Sequence, residues 1–164
     1  MSVLRFELID EQATLDLGAT IARALPVLPE RFLITLNGDL GAGKTCLTRA
    51  LIHAAGYSGH VKSPTYTLAE PYQVTLQNKP ASIMHFDLYR MGSPEEFLDA
   101  GFREEFHAGQ VCIVEWPEKA DGVLPEPDIE LFLRIAAHGR EVELRALSDK
   151  GFACLASLQF APVL

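Results

Sequence analysis

Between Gly38 and Thr45 the chain reads GDLGAGKT, a full match to G-x-x-x-x-G-K-[ST], in which a glycine loop wraps backbone N–H groups around the phosphates of a nucleotide. No other feature narrows the fold so far. Such a loop works where a buried strand feeds directly into a helix N-terminus, because the helix dipole and its unpaired N–H groups complete the anion site. The flanks agree: Phe32-Leu33-Ile34-Thr35-Leu36 is apolar and β-prone, and Thr45 to Ala55 places Leu47, Leu51 and Ala54 on one helical face before Gly56 ends the helix. Gly38, Gly41 and Gly43 permit backbone geometry and close phosphate approach that a Cβ would hinder. Lys44 is expected to reach the β- and γ-phosphates, and the Thr45 hydroxyl to ligate Mg2+. A glycine turn that merely opens a Rossmann-like helix leaves Lys44-Thr45 unexplained.

At 164 residues, 48% of them hydrophobic, the chain has the size of a single domain, 1–164, with a sizeable core. No apolar run approaches the roughly 20 residues of a membrane span. Met1 to Asp10 also lacks the basic start and long apolar stretch of a signal peptide. A cytoplasmic protein with no membrane association is therefore expected. Cys46, Cys112 and Cys154 are too few and too scattered for a disulfide framework or a zinc site and read as buried thiols. The formal net charge of −8 repels nucleic acid phosphates, so any nucleic acid is expected to be reached through a partner.

Asp10 caps an expected helix from Glu11 to about Leu25, with Leu17, Ile21 and Leu25 on one face and Pro26 and Pro29 closing it. Tyr57 to Thr67 is a polar connection too rich in breakers for regular structure. Leu68 to Leu76 and Ala81 to Leu88 read as an antiparallel hairpin around Gln77-Asn78-Lys79-Pro80. Ser93-Pro94-Glu95-Glu96 has the pattern of a capping box opening a short helix that Gly101 ends, and a second helical piece is expected from Phe102 to His107. Val111 to Val114 is an apolar strand that runs into Glu115-Trp116-Pro117. Ile129 to Ile135 and Glu141 to Leu147 alternate across His138-Gly139 as a second hairpin. Gly151 to Leu164 is apolar and ambiguous. The elements together predict an α/β, three-layer P-loop NTPase domain with a mixed, partly antiparallel sheet.

An NTPase needs a carboxylate near Mg2+ as well as the loop hydroxyl, commonly from the end of a neighbouring apolar strand. Asp87, after Ile83-Met84-His85-Phe86, and Glu115, after Val111 to Val114, both qualify, since ligands of open α/β folds bind at the carboxyl ends of the strands. Thr65 lies in the polar loop after the P-loop helix, where switch proteins place a threonine that senses the γ-phosphate; a plain Ser-Pro turn is the alternative. Asn78-Lys79-Pro80-Ala81 has alanine where a guanine-reading N-K-x-D motif needs aspartate, which leaves ATP as the expected nucleotide. The five histidines form no metal-ligand spacing and read as surface or satisfied side chains. Arg90 follows the Asp87 strand and reads first as a partner in a surface ion pair, with approach to phosphates as the alternative. A small-molecule P-loop kinase and a nucleotide-gated binding module compete with an ATPase, but the arginines are too dispersed for a kinase lid.

Four blocks together carry a further resemblance: GDLGAGKT at Gly38 to Thr45, VKSPTYTL at Val61 to Leu68, HFDLYR at His85 to Arg90 and VEWP at Val114 to Pro117. In this order and spacing, over about Asp10 to Leu147, the chain resembles the TsaE (formerly YjeE) family of bacterial ATPases required for threonylcarbamoyladenosine modification of tRNA. The resemblance implies a nucleotide cradle formed by Gly38, Asp39, Leu40, Gly41, Ala42, Gly43, Lys44 and Thr45. It also implies Mg2+ coordination by Thr45 and Glu115, a metal-associated Asp87 and a switch-like Thr65. Trp116 belongs to the same signature and is expected to pack near the site, with anchoring of the strand end as the alternative, and Glu11 is expected to contact the nucleotide near the adenine. The implied activity is an ATPase cycle supporting a complex with TsaB and TsaD, in which TsaD places the threonylcarbamoyl group on the adenosine next to the anticodon. The tRNA is then reached through the complex.

Overall fold

Strands covered on both faces must be apolar at successive positions, and the sheet is organised around two that are. The computed structural model describes residues 2–64, 66–102, 104 and 111–160. Along these the chain runs β1 (Ser2–Leu8), α1 (Glu11–Ala24), β2 (Phe32–Asn37), α2 (Lys44–Ala54), β3 (Ala69–Leu76), β4 (Lys79–Asp87), α3 (Pro94–Asp99), β5 (Val111–Glu115), β6 (Ile129–Ile135), β7 (Arg140–Ala146) and α4 (Asp149–Ala156). A 3-10 turn at Pro117–Ala120 follows β5. The seven strands form one sheet in the order β1-β7-β6-β2-β5-β4-β3. β2 lies parallel to β5 and β6, and β5 parallel to β4, while β3, β7 and β1 join by antiparallel pairing. The α/β architecture with a mixed sheet is thus the one expected.

Alternation sorts the side chains. Phe32, Ile34 and Leu36 of β2, Val111 and Ile113 of β5 and Ile129, Leu131 and Leu133 of β6 pack with Leu17 and Ile21 of α1, Leu47 and Leu51 of α2 and Leu155 of α4. On the opposite face Leu33, Met84, Phe86, Cys112 and Val114 meet Phe97 of α3 and Ala120 of the 3-10 turn. Over the remaining strands, β6, β7 and β1, that second face carries Arg134, Glu143, Arg145 and Arg5. α2 is pressed onto α1 at Gly18, where an added Cβ would lie 2.7 Å from Ala50 Cβ and 3.0 Å from the Leu47 carbonyl. The start of β2 is held by buried Asp128, which accepts from the Leu33 N–H at 2.8 Å and from the Ser148 hydroxyl at 2.7 Å.

Several local expectations change. Ser2–Leu8 is a strand that the sequence reading left unassigned, although Leu4, Phe6 and Leu8 alternate with Arg5 and Glu7. The first hairpin turns on Gln77 and Asn78 alone, both left-handed at φ 51° and 61°, and Lys79 and Pro80 belong to β4. That geometry matches the right-handed twist of the strands, which a four-residue turn is not needed to supply. On α2, Leu47, Leu51, Ile52 and Ala55 are buried and Ala54 is exposed, because α1 and the sheet meet the helix across a wider stripe than one row. The capping box at Ser93 does not close: its hydroxyl caps nothing, and Glu96 instead accepts from the Gly92 N–H at 3.1 Å. α4 starts just ahead of the ambiguous tail, at Asp149, and runs into it as far as Ala156, capped by Ser148 through the Gly151 N–H at 3.0 Å. Of the expected helical piece at 102–107, only 102 and 104 fall within the described residues. No described helix is long and apolar enough to cross a membrane.

Candidate nucleotide site

Because β2, β4, β5 and β6 are mutually parallel, and β1 points the same way through its antiparallel pairing with β7, their carboxyl ends gather at one edge. A cleft of about 640 Å³ opens there. Its walls include Asp10 and Glu11 after β1, residues 40–46 of the loop and first turn of α2, Asp87 at the end of β4 with Tyr89 and Arg90 beyond it, Glu115 at the end of β5 with Trp116 beyond it, and Gly139 with Arg140 at the start of β7. Gly38 and Asp39 lie behind the loop, on the side of the sheet that carries Arg134 and Arg145. The loop takes left-handed geometry at Gly41 (φ 80°) and Gly43 (φ 106°), the latter being the residue from which α2 starts.

Four ionisable groups crowd this edge, all of them buried: Lys44, His85, Asp87 and Glu115. The Thr45 hydroxyl, on the first turn of α2, donates to Glu115 at 3.1 Å. Asp87 and Glu115 are paired in register on adjacent strands and therefore emerge side by side. Burial pushes the Asp87 carboxyl above its ordinary range, opposed by the Tyr89 N–H that donates to it at 3.0 Å and reinforced by the negative charge of Glu115. Burial also pushes the Lys44 ammonium down, against the charges of Glu115, Glu118, Asp87 and Asp39. That ammonium donates to the Gly38 carbonyl and lies 3.6 Å from the centre of the Trp116 ring. Trp116 is itself left-handed at φ 59°, a conformation that costs a non-glycine residue of order 1–3 kcal/mol. Tyr89 packs against it, ring centres 4.9 Å apart.

These groups fit a metal–nucleotide complex better than a free metal ion. Among the described residues no cluster of three or more His, Cys, Asp or Glu is arranged to hold an ion alone. A hydroxyl and one or two carboxylates at a helix N-terminus match the way Mg2+ is held, with phosphate and water oxygens completing its shell. The open space at Gly41 and Gly43, where an added Cβ would meet nothing within 4 Å, leaves room for phosphates to approach the loop backbone.

The cleft thus brings together Glu11, Lys44, Thr45, Asp87, Glu115 and Trp116, and the loop residues 40–43 with them. Thr65 lies outside the described residues. Glu11 faces the first turn of α2, its carboxylate 3.9 Å from the Cys46 sulfur. Arg90 stands at the cleft, 4.5 Å over the Tyr66 ring, and among the described residues it makes no ion pair of the kind anticipated. His85 is the main departure among the histidines: it is fully buried, with Nε2 2.6 Å from Glu115 and Nδ1 without a hydrogen-bond partner among the described residues. Its signal was present, since His85 lies two residues before Asp87 and so on the same face of β4. Tyr89 and Arg140 also went unnoticed, each brought to the cleft from a strand end by long-range pairing.

A glycine loop between a central parallel strand and a helix, with acids at neighbouring strand ends, defines a P-loop nucleotide-binding protein of the NTPase type. Residues 8–142 match the family model described as Threonylcarbamoyl adenosine biosynthesis protein TsaE. The tRNA threonylcarbamoyladenosine biosynthesis protein TsaE of Haemophilus influenzae is 42% identical over 144 residues, 87% of this chain and 89% of its own length. The protein of the same name from Treponema pallidum is 36% identical over 132 residues, 80% of this chain and 92% of its own. The chain belongs to the TsaE family. The crystal structure of Bacillus subtilis YdiB superimposes with a TM-score of 0.69 over 95% of this chain and 94% of that one, at 24% identity, which establishes the likeness of fold.

Proposed function

We propose that this chain is a cytoplasmic accessory ATPase, one domain in extent, that binds and hydrolyses Mg-ATP to support a TsaB–TsaD complex in threonylcarbamoyladenosine modification of tRNA next to the anticodon. The observation that carries the reading is the Thr45–Glu115 contact of 3.1 Å, which joins the hydroxyl of the glycine loop to an acid 70 residues away at the mouth of α2. Thr45 and Glu115 would hold Mg2+, whose charge would offset negative charge developing on the phosphates. Lys44 supplies a second positive charge, and its lowered affinity for its proton reflects a burial cost that a phosphate would relieve. Asp87, already reluctant to ionise, is suited to hold a proton or to face the metal. Glu11 bounds the adenine side, and Trp116 holds the Lys44 ammonium against its ring face, from which it would turn to the phosphates. The loop containing Ser63-Pro64-Thr65 couples the γ-phosphate to the partners, Thr65 being its switch residue.

The net charge of −8 supports this division of labour, since a subunit of this sign need not grip tRNA by itself. The test is tRNA modification by TsaB and TsaD under multiple-turnover conditions, with and without this chain, and with ATP, ADP or a non-hydrolysable ATP analogue. Stimulation with ATP alone is expected. Full stimulation by the analogue would make the chain a nucleotide-gated binding module, and no stimulation at all would sink the accessory role. Partner affinity should also be highest with ATP. By linkage, TsaB and TsaD should then raise ATP affinity by the same factor.

A further inference from the structure

The buried face of β7 is formed by Val142, Leu144 and Ala146, and the same alternation puts an arginine, Arg140, where a fourth apolar residue would continue the row. Its backbone is fixed from both sides, paired with Leu8 of β1 and Ile135 of β6. From this anchored position the guanidinium spends three nitrogens on backbone carbonyls. Nε donates to Ala42 at 3.1 Å, Nη2 to Gly41 at 3.1 Å and Nη1 to Gly139 at 3.0 Å. Two of these acceptors are in the glycine loop, and the third belongs to the turn that carries the arginine.

We infer that Arg140 is a positioning residue of the glycine loop, a splint that fixes the peptide planes before Gly43 so that the loop meets a nucleotide phosphate already formed. The inference rests on the nucleotide reading of that loop. In a planar trans peptide the carbonyl and the following N–H point in opposite directions. Holding the Ala42 carbonyl against Arg140 therefore turns the Gly43 N–H away from the arginine. The preceding peptide is committed as well, since the Ala42 N–H donates to the Asp39 carbonyl at 3.1 Å while its own carbonyl neighbour, Gly41, is held by Nη2. Gly41 and Gly43 give the loop its left-handed turns but lose more conformational freedom on ordering than other residues. A rigid planar fork anchored in the sheet reduces that loss at the moment of binding, which is what preorganisation means here. Lysine, with one mobile ammonium, cannot span the two loop carbonyls in a fixed plane.

The test compares wild type with Arg140→Lys and Arg140→Ala in the full chain, by calorimetric titration with Mg-ATP and Mg-ADP and by the Gly43 amide resonance without nucleotide. Both variants should bind each nucleotide about tenfold more weakly, the loss expected of charge-assisted hydrogen bonds. The Gly43 resonance should shift or broaden in both. Because the amide serves ground state and transition state alike, KM for ATP should rise more than kcat falls. Wild-type affinity in Arg140→Lys would overturn the inference, since charge alone would then suffice, and so would an unmoved Gly43 resonance. Should Arg140→Ala fail to fold, Arg140→Lys decides. A wild-type chain that binds no Mg-ATP sinks the nucleotide reading itself, whereas normal wild-type binding with unaffected variants sinks this inference alone.

Discussion

Two charge-rich regions lie on opposite faces of the same sheet, and they treat charge in opposite ways. On the face of β6, β7 and β1 left open to water, Arg5 and Arg145 each reach Glu143, at 2.7 and 2.6 Å, and Arg134 reaches Glu141 at 2.6 Å. The hydrogen bond from Arg5 leads in holding the Glu143 carboxyl below its ordinary range, so that group ionises readily. In the cleft the situation is reversed. Burial raises Asp87 and lowers Lys44, each toward its neutral form, although acids and an ammonium stand near one another. Exposed, paired charges settle cross-strand register at little cost, whereas charges taken out of water without full compensation are an energetic burden that a bound ligand can relieve. That difference, more than charge count, separates a solvated face from a site.

The sharpest test of the contrast is Lys44→Ala, which should weaken Mg-ATP binding by about a hundredfold or more in calorimetry, since it removes a charge-assisted contact from a poorly solvated loop. Trp116 fluorescence, expected to respond in the wild type as Lys44 leaves the indole for phosphate, should then be silent at the same ATP concentration. Unaltered affinity in a folded variant would break the comparison outright. Glu115→Gln should reduce partner-stimulated hydrolysis by about a hundredfold at saturating Mg2+ while nucleotide affinity changes far less, because metal placement matters most as charge develops. Equal turnover would make Glu115 a strand-end acid.

Asp87→Asn should lower hydrolysis by roughly tenfold or more and yet stabilise the nucleotide-free protein. The sign follows from its raised carboxyl value: the folded state binds the proton more tightly than the unfolded chain, so stability is lost as pH rises from the ordinary aspartate range through the folded value. Asparagine mimics the protonated form. Near neutral pH the variant should melt ~2–4 °C higher, the shift expected of ~1 kcal/mol in a chain of this size, and the advantage should fade as pH falls toward 4. A lower melting temperature across the range would show that the carboxylate is well compensated after all. On the open face, Arg134→Ala should cost no more than ~1 kcal/mol, read in thermal melts, with Mg-ATP affinity unchanged. A loss of affinity there would mean that the two regions are coupled.

The glycine loop, the strand before it, the acids closing β4 and β5 and both hairpins were legible in the sequence, because each is written in residues adjacent in the chain: fixed motif positions, period-two alternation and turn formers. β1 and α4 were not read, being short segments whose pattern becomes decisive only against β7 and Asp128. The capping box failed because Glu96 found the Gly92 N–H, a local competition that the motif does not encode. Sequence also placed His85 among ordinary histidines, while the parallel register of β4 and β5 put it against Glu115. Arg140 had no motif at all. Its bond to Gly41 spans 99 positions, and the Thr45–Glu115 contact spans 70. The chain by itself marked the glycine loop and the strand-end acids as candidates for phosphate and metal chemistry, since those demands are local. Which buried groups stand beside them, and how far each resists its own charge, was decided by strand order and register, because desolvation and hydrogen bonding depend on neighbours that only the packed sheet brings together.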